Sequence, residues 1–452
     1  MIALRLPRAS RGSAPGHDGQ LAARTTGGHV RAACHMRPTG LGRAVIRGLP
    51  ARAAAGLAAL AAAAVLSFAS QVRAEDGPFR IGVIVDMSGV YASNGGPGAV
   101  VATKMAVQDF GGKVLGRPIE VLSADYQNKA EVASSIVRKW FDVDNANMAI
   151  ESTDSSAALA MQKIGQEQKR ITISAGSATD ALTNKACSPY GIHYVYDTYS
   201  LATGAARAIV GKGRKTWYFI GADYAFGHAL ENETAETVQK LGGKVLGVSW
   251  HPLSTSDFAA YLIAAQSSGA QVVGFANAGT DTSNAVKQAV EFGLPKSGQK
   301  LAGLLMFNTD VRALGLPVAQ GMEFVTSYDW NFDPQTRDFG KRFYEQFHAM
   351  PTMIQAGIYS AVQHYLQAVQ EVGTADSDKV MARLRATKFD DFFARHGHLR
   401  EDGLMVHDMF LAEAKTPQES SGPWDLVNIL KVIPGDEAYA SLADSQCPLV
   451  KK

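Results

Sequence analysis

Gly111-Gly112-Lys113-Val114-Leu115-Gly116 returns letter for letter as Gly242-Gly243-Lys244-Val245-Leu246-Gly247. Each copy follows a stretch with helical spacing and precedes a β-branched run. A glycine there stops a helix by adopting the left-handed backbone that other residues resist. Working back from the first copy, a helix ending near Phe110 follows a glycine-rich loop and the strand Arg80-Ile81-Gly82-Val83-Ile84-Val85-Asp86. Working forward, the next strand lies around Ile119-Glu120-Val121-Leu122. The second copy has matching neighbours. The strand Thr216-Trp217-Tyr218-Phe219-Ile220-Gly221-Ala222-Asp223 precedes a helix with Leu230, Thr234, Val238 and Leu241 on one face.

These runs are short and almost continuously apolar, as strands buried on both faces of a parallel sheet are. More such units follow. Met148-Ala149-Ile150 leads through a serine-rich loop to helical spacing over 157–169 and the strand Ile171-Thr172-Ile173. In the second half, 272–276 leads to helical spacing over 282–292. The alternation predicts an α/β protein of two doubly wound parallel-sheet lobes. Ligands of such sheets bind past the carboxyl ends of the strands, so the expected site is the cleft where two sets of loops face each other.

At 452 residues, 46% hydrophobic and 19% charged, the chain is long enough for two cores. Its formal charge of +2 hides an uneven distribution: residues 1–74 carry ten Arg, no Lys and one acid, Asp18. The remainder has 34 basic against 41 acidic residues, a net of about −7. A mildly acidic body with no basic stripe argues against a nucleic-acid partner. Arg43, Arg47 and Arg52 precede an alanine-rich apolar run over 53–69, and Val72-Arg73-Ala74 places small residues at −3 and −1. That order reads as a secretory signal cleaved after Ala74. The other reading, a membrane anchor, is weakened by a run at the short end for spanning. Export leaves Cys187 and Cys447 as the pair in the mature chain, and two cysteines in an oxidising compartment are expected to join. The alternative is two buried free thiols. Neither sits in a C-x-x-C or beside clustered His, so no metal and no cofactor are expected.

The loops past the strands hold hydroxyls, amides, glycines and aromatics. They are Asp86-Met87-Ser88-Gly89-Val90-Tyr91, Ser152-Thr153-Asp154-Ser155-Ser156, Ala175-Gly176-Ser177-Ala178-Thr179-Asp180, Asp223-Tyr224-Ala225-Phe226-Gly227, Asn277-Ala278-Gly279-Thr280 and Phe307-Asn308-Thr309-Asp310. At helix N-termini such groups offer free N–H donors and a favourable dipole to an anion such as a carboxylate. Each Ser or Thr taken singly also reads as an ordinary N-cap. Catalytic signatures are missing: the sequence has no G-x-S-x-G, H-E-x-x-H, P-loop or G-x-G-x-x-G. Asp223, Tyr224 and His228 form the one acid–base candidate, and His228 falls at a helix start where it can face either way. An enzyme is therefore the third reading, behind a binding module for uptake and a periplasmic sensing module.

With "RIGVIVDMSGVYASNGGPG" opening the first lobe and "DYAFGHAL" at the first loop of the second, the chain resembles type I periplasmic solute-binding proteins. These are the receptor subunits of branched-chain amino acid-type ABC importers. The likeness runs from about Phe79 to Val450 and is nearest to a subgroup associated with aromatic acids. It implies a periplasmic, monomeric, non-enzymatic protein that passes a small carboxylate to ABC permease subunits. It further implies three hinge crossings, near Asp197, Thr326 and Met405. Lobe 1 would then be 75–197 plus 326–405, and lobe 2 would be 198–325 plus 406–452. Carried over position by position, Ser88 and Tyr91 line the cleft, while Ser155, Ser156, Ser177 and Ala178 hold the ligand carboxylate. Tyr224 or Phe226 covers the ligand from the second lobe, with Gly227 letting the chain pass close to it, and Asn277 belongs to the same ring of loops. Asn308 stands where amino acid binders carry an acid for the ligand ammonium, which points to a ligand without one. Asp310, Asp223 and Asp86 are the alternative counter-charges, so a branched-chain amino acid-like ligand stays open. The absence of a kinase or membrane domain after Lys452 favours the importer reading.

Overall fold

The computed structural model describes residues 77–151 and 153–451. The arginine-rich leader and the expected cleavage after Ala74 lie outside them. Strands β1 (Phe79–Val85), β2 (Lys113–Val114), β3 (Arg117–Asp125), β4 (Met148–Glu151), β5 (Ile171–Ser174) and β6 (Gly191–His193) form a sheet ordered β2-β3-β1-β4-β5-β6. All its pairings are parallel except β2 on β3. Strands β7 (Thr216–Ala222), β8 (Lys244–His251), β9 (Val272–Ala276) and β10 (Lys300–Gly303) form a second sheet, ordered β10-β9-β7-β8 and wholly parallel. Then come β11 (Glu323–Thr326), β12 (Lys388–Phe389), β13 (Gly397–Leu399), β14 (Met405–Val406), β15 (Met409–Ala414) and β16 (Val427–Ile433). They make two small antiparallel sheets, β11-β15-β16 and β12-β13-β14. The fold is the expected α/β class with two parallel-sheet lobes.

The repeated hexapeptide does one job twice and then diverges. In both copies the first glycine is left-handed, at φ +99° for Gly111 and +77° for Gly242. The second donates its N–H five residues back, Gly112 to Val107 O and Gly243 to Val238 O, which is how a Schellman stop satisfies a helix end. After that, Leu115 (φ +53°) and Gly116 (φ +77°) turn β2 back onto β3 as a hairpin. In the second copy Lys244 starts β8 directly, with Leu246 the extra residue where the register against β7 shifts between Trp217 and Tyr218. Both lobes also repeat a packing device. A Cβ on Gly82 of β1 would lie 2.4 Å from the Trp140 ring, and one on Gly221 of β7 would lie 2.4 Å from the Trp250 ring. Each central strand gives up a side chain so that a tryptophan can lie flat against it.

The helices expected over 157–169 and 282–292 run over Ser155–Gln168 and Thr280–Glu291. Both begin two residues early because the start is set by local chemistry rather than by apolar spacing. Asp154 caps the first through Ala157 N at 2.7 Å, and Gly279 (φ +63°) launches the second. Gly227 also has a local cause. A Cβ there would sit 2.0 Å from Ala222 O, so the helix Ala225–Lys240 needs glycine where it leaves β7.

After β11 the chain returns to the first sheet. The helix Met353–Val372 packs on Gly96–Asp109, with Gln363 Nε2 donating to Ala106 O at 2.7 Å and Thr352 Oγ1 to Asn94 O at 2.6 Å. A Cβ on Gly98 would meet Gln355 Nε2 at 2.2 Å, so this crossing too is closed by a missing side chain. Cys187, in the loop before β6, is bonded to Cys447, with Cα atoms 5.6 Å apart and a separation of 260 positions in sequence. Gln446 N donating to Asn184 Oδ1 at 2.9 Å holds the tail beside that loop. Among the described residues no helix is long and apolar enough to cross a membrane, and no cluster of His, Cys, Asp and Glu could hold a metal ion.

Candidate ligand cleft

In each sheet the strand order reverses at one place, and a loop pair there leaves a crevice. The first sheet reverses between β1 and β4, with β3 on the far side of β1, and the second between β7 and β9, with β8 beyond β7. A small, narrow cavity lies where the four loops meet. Tyr91 and Asn94 follow β1, Thr153 follows β4, Tyr224 and Phe226 follow β7, and Ala278 follows β9. Gly176, Tyr196, Leu305, Phe307 and Ile354 complete the wall. Among the described residues no charged side chain lines it.

The loops touch directly. Thr280 N donates to Val90 O at 3.1 Å, and Asn94 Nδ2 donates to both Asp310 Oδ1 and Thr309 Oγ1 at 3.3 Å. The hydroxyls of Tyr91 and Tyr224 are hydrogen-bonded to each other. Burial drives both phenols well above the ordinary tyrosine range, so each is a neutral donor. The first loop is shaped by Asp86, which accepts from Gly89 N (2.6 Å), Tyr91 N (2.9 Å) and Asn128 Nδ2 (2.6 Å).

Of the residues expected at the ligand, Tyr91, Tyr224 and Phe226 reach the cavity. Ser155, Ser177 and Ala178 lie buried in the loops behind it. Ser155 Oγ accepts from Ala178 N at 3.3 Å and Thr179 N at 3.2 Å, and Ser177 Oγ donates to Asp154 O at 3.1 Å. The carboxylate at the start of the helix Ser155–Gln168 is the protein's own Asp154, pushed up to about 6 chiefly by burial. Ser156 is half-buried on that helix's first turn, and Ser88 is exposed. Asn277 is committed to His251 Nε2 (3.0 Å) and Thr282 Oγ1 (2.7 Å) within the second lobe. Asn308 donates to Pro351 O at 3.1 Å and does not line the cavity. His228 and Asp223 pair at 2.8 Å, their side chains 44% and 61% exposed, with neither lining the cavity.

Sequence reasoning overlooked Asn94, Thr153, Gly176, Tyr196, Ala278, Leu305, Phe307 and Ile354. Thr153, Gly176, Ala278 and Phe307 sit inside the loops quoted above, and Asn94 lies in "YASNGG", where the strand-end position itself was the available signal. Tyr196 and Ile354 come from segments with no such signal.

Asp310 is buried, accepts from Phe307 N at 3.0 Å, and is pushed up to about 7 by burial. Asp281, accepting from Ser254 N at 3.0 Å, is likewise pushed up to about 7 by burial. A carboxyl whose folded pKa exceeds its unfolded value binds more protons when folded, so stability falls as pH rises from about 4 to about 7. Thermal melts at pH 5 and pH 8 should show the wild type more stable at pH 5, with Asp310→Asn narrowing the gap. An equal gap in the variant would remove Asp310 as a source.

Two parallel-sheet lobes whose switch-point loops enclose a small cavity define a bilobal binding protein. A periplasmic binding protein family model matches residues 78–422. The solved structure of a periplasmic binding protein from Burkholderia mallei superposes with a TM-score of 0.81 at 50% identity, covering 83% of this chain and 99% of that one. A periplasmic ligand-binding protein of a branched chain amino acid ABC transporter from Burkholderia xenovorans LB400 gives 0.74 at 40% identity, covering 82% and 99%. Leu/Ile/Val-binding protein homolog 6 of Brucella abortus is 29% identical over 293 residues, 62% of this chain and 72% of that protein. The chain belongs to the periplasmic binding protein family.

Proposed function

We propose that this protein is the periplasmic substrate-binding component of an ABC importer, exported by a signal cleaved after Ala74, that delivers a small aromatic carboxylate to its permease. The cavity carries this reading. Its wall is Tyr91, Tyr196, Tyr224, Phe226 and Phe307 with Leu305 and Ile354, apolar faces that suit a planar ring, and its polar atoms are neutral hydroxyls and an amide. Tyr91 and Tyr224 are already paired across the cleft, and the phenol that accepts in that pair keeps its own O–H to donate to the carboxylate. Lobes of 75–197 with 326–405 and of 198–325 with 406–452 would close over it at the three crossings.

A branched-chain amino acid is the second reading. It is favoured by Asp310 behind Asn94, and by the 40%-identical Burkholderia xenovorans protein being that of a branched chain amino acid transporter. Calorimetry of the mature protein with benzoate, 4-hydroxybenzoate, leucine and phenylalanine separates the two. Binding of an aromatic acid in preference to leucine is expected. Tight leucine binding with no response to either benzoate would overturn the proposal.

A further inference from the structure

We infer that Asn94 is a specificity-determining residue of the cleft, selecting ligands that carry a hydroxyl or ammonium donor besides their carboxylate. The inference rests on the cavity being the ligand site, as proposed above. Asn94 is fully buried and lines the cavity. Its amide nitrogen is fixed by two acceptors of the second lobe, Asp310 Oδ1 and Thr309 Oγ1. Its backbone carbonyl is fixed by Thr352 Oγ1. The side-chain oxygen is therefore turned away from those acceptors, and it has no hydrogen-bond partner among the described residues. Buried polar atoms are nearly always paired, and an acceptor oriented but unpaired in a binding cavity lacks a donor that a ligand can bring.

That oxygen is buried and lies beside Gly279, where a Cβ would come within 2.8 Å of it, so glycine is what leaves room next to it. Asp310 is a positioning residue: its carboxylate, itself oriented by Phe307 N, decides which end of the Asn94 amide is free. The required chemistry is one O–H or N–H, which a hydroxylated aromatic acid or an α-amino acid could supply. A ligand lacking the donor would bury the acceptor unpaired, and sites built around a hydrogen bond reject such analogues strongly.

Two ligand pairs differing only in the donor test this by calorimetry: 4-hydroxybenzoate against benzoate, and leucine against 4-methylpentanoate. The wild type should favour the donor-bearing member of at least one pair by on the order of tenfold or more, and which pair responds identifies the donor. Asn94→Leu and Asn94→Ala should bring that ratio near one, whereas a merely structural role would weaken both members together and leave the ratio unchanged. Equal binding of both members of each pair by the wild type would overturn the inference and leave the ligand class standing. A ratio preserved in both variants would do the same. Failure of all four compounds to bind the wild type would sink both the inference and the proposed ligand class. The wild-type comparison decides even if a variant fails to fold.

Discussion

Gly279→Ala should weaken ligand capture by about ten- to a hundredfold while the protein still folds, equivalent to about 1.4–2.8 kcal/mol. Gly279 holds φ +63° and ψ −136°, where an L side chain is strained in any state of the protein, and that part costs on the order of 1–3 kcal/mol of stability. The binding effect has a separate cause. The added Cβ would lie 2.3 Å from Val90 O and 3.2 Å from Tyr91 Cδ1, atoms of the loop after β1 that Gly279 meets across the cleft. That clash exists only when the two sets of loops touch, so it opposes closure specifically and breaks the Thr280 N to Val90 O hydrogen bond. Affinity falls by the factor with which closure is disfavoured. Calorimetry gives the affinity, a thermal melt the fold, and small-angle scattering with ligand the compaction. Wild-type affinity in a folded Gly279→Ala protein would show that ligand capture does not need this contact.

Much of the fold was legible because its signals are local. Continuous apolar runs give buried parallel strands, and Gly111 and Gly242 stop helices through backbone conformation alone. The same letters misled one step further on. Lys113-Val114 and Lys244-Val245 are identical, yet the first pair enters a hairpin and the second a bulged parallel strand, because what lies beside each is set by residues distant in sequence. The cleft followed the same rule. Loop positions past the strands could be named from strand order, and Tyr91, Tyr224 and Phe226 do reach the cavity. Which serines face it could not be named, because Asp154, a residue of the same loop, takes the helix N-terminus and draws Ser177 into packing, while Ser155 holds Ala178 and Thr179. Asn308 and Asp310 illustrate the limit most sharply. They are two residues apart on one short helix, and only the turn of that helix decides that Asn308 meets Pro351 while Asp310 lies under Asn94. A spacing argument from sequence carries an error of that size.

The second large effect concerns the tail. Removing the bond between Cys187 and Cys447 by the double replacement Cys187→Ala with Cys447→Ala should lower stability by up to about 5 kcal/mol and the melting temperature by roughly 5–10 °C. The bond closes a loop of 260 residues, and chain-entropy models make such long loops the most stabilising to close, although measured gains run smaller. Both cysteines are buried, at 6% and 3% exposure, so alanine also leaves small apolar gaps that add to the loss. The effect should concentrate where the tail is tied. The loop around Cys187 precedes β6, and β6 brings His193 under the carbonyl of Ser177, Nε2 to O at 2.6 Å, directly behind the cleft. His193 is held neutral by burial, its pKa lowered to about 4, so it donates that bond across the working pH range. Loosening β6 should therefore raise hydrogen exchange in residues 171–197 before it does so in β7 to β10. Thiol titration of the unreduced, denatured mature protein should find no free thiol. Two thiols per chain would refute the bond, and a double variant melting with the wild type would refute its weight.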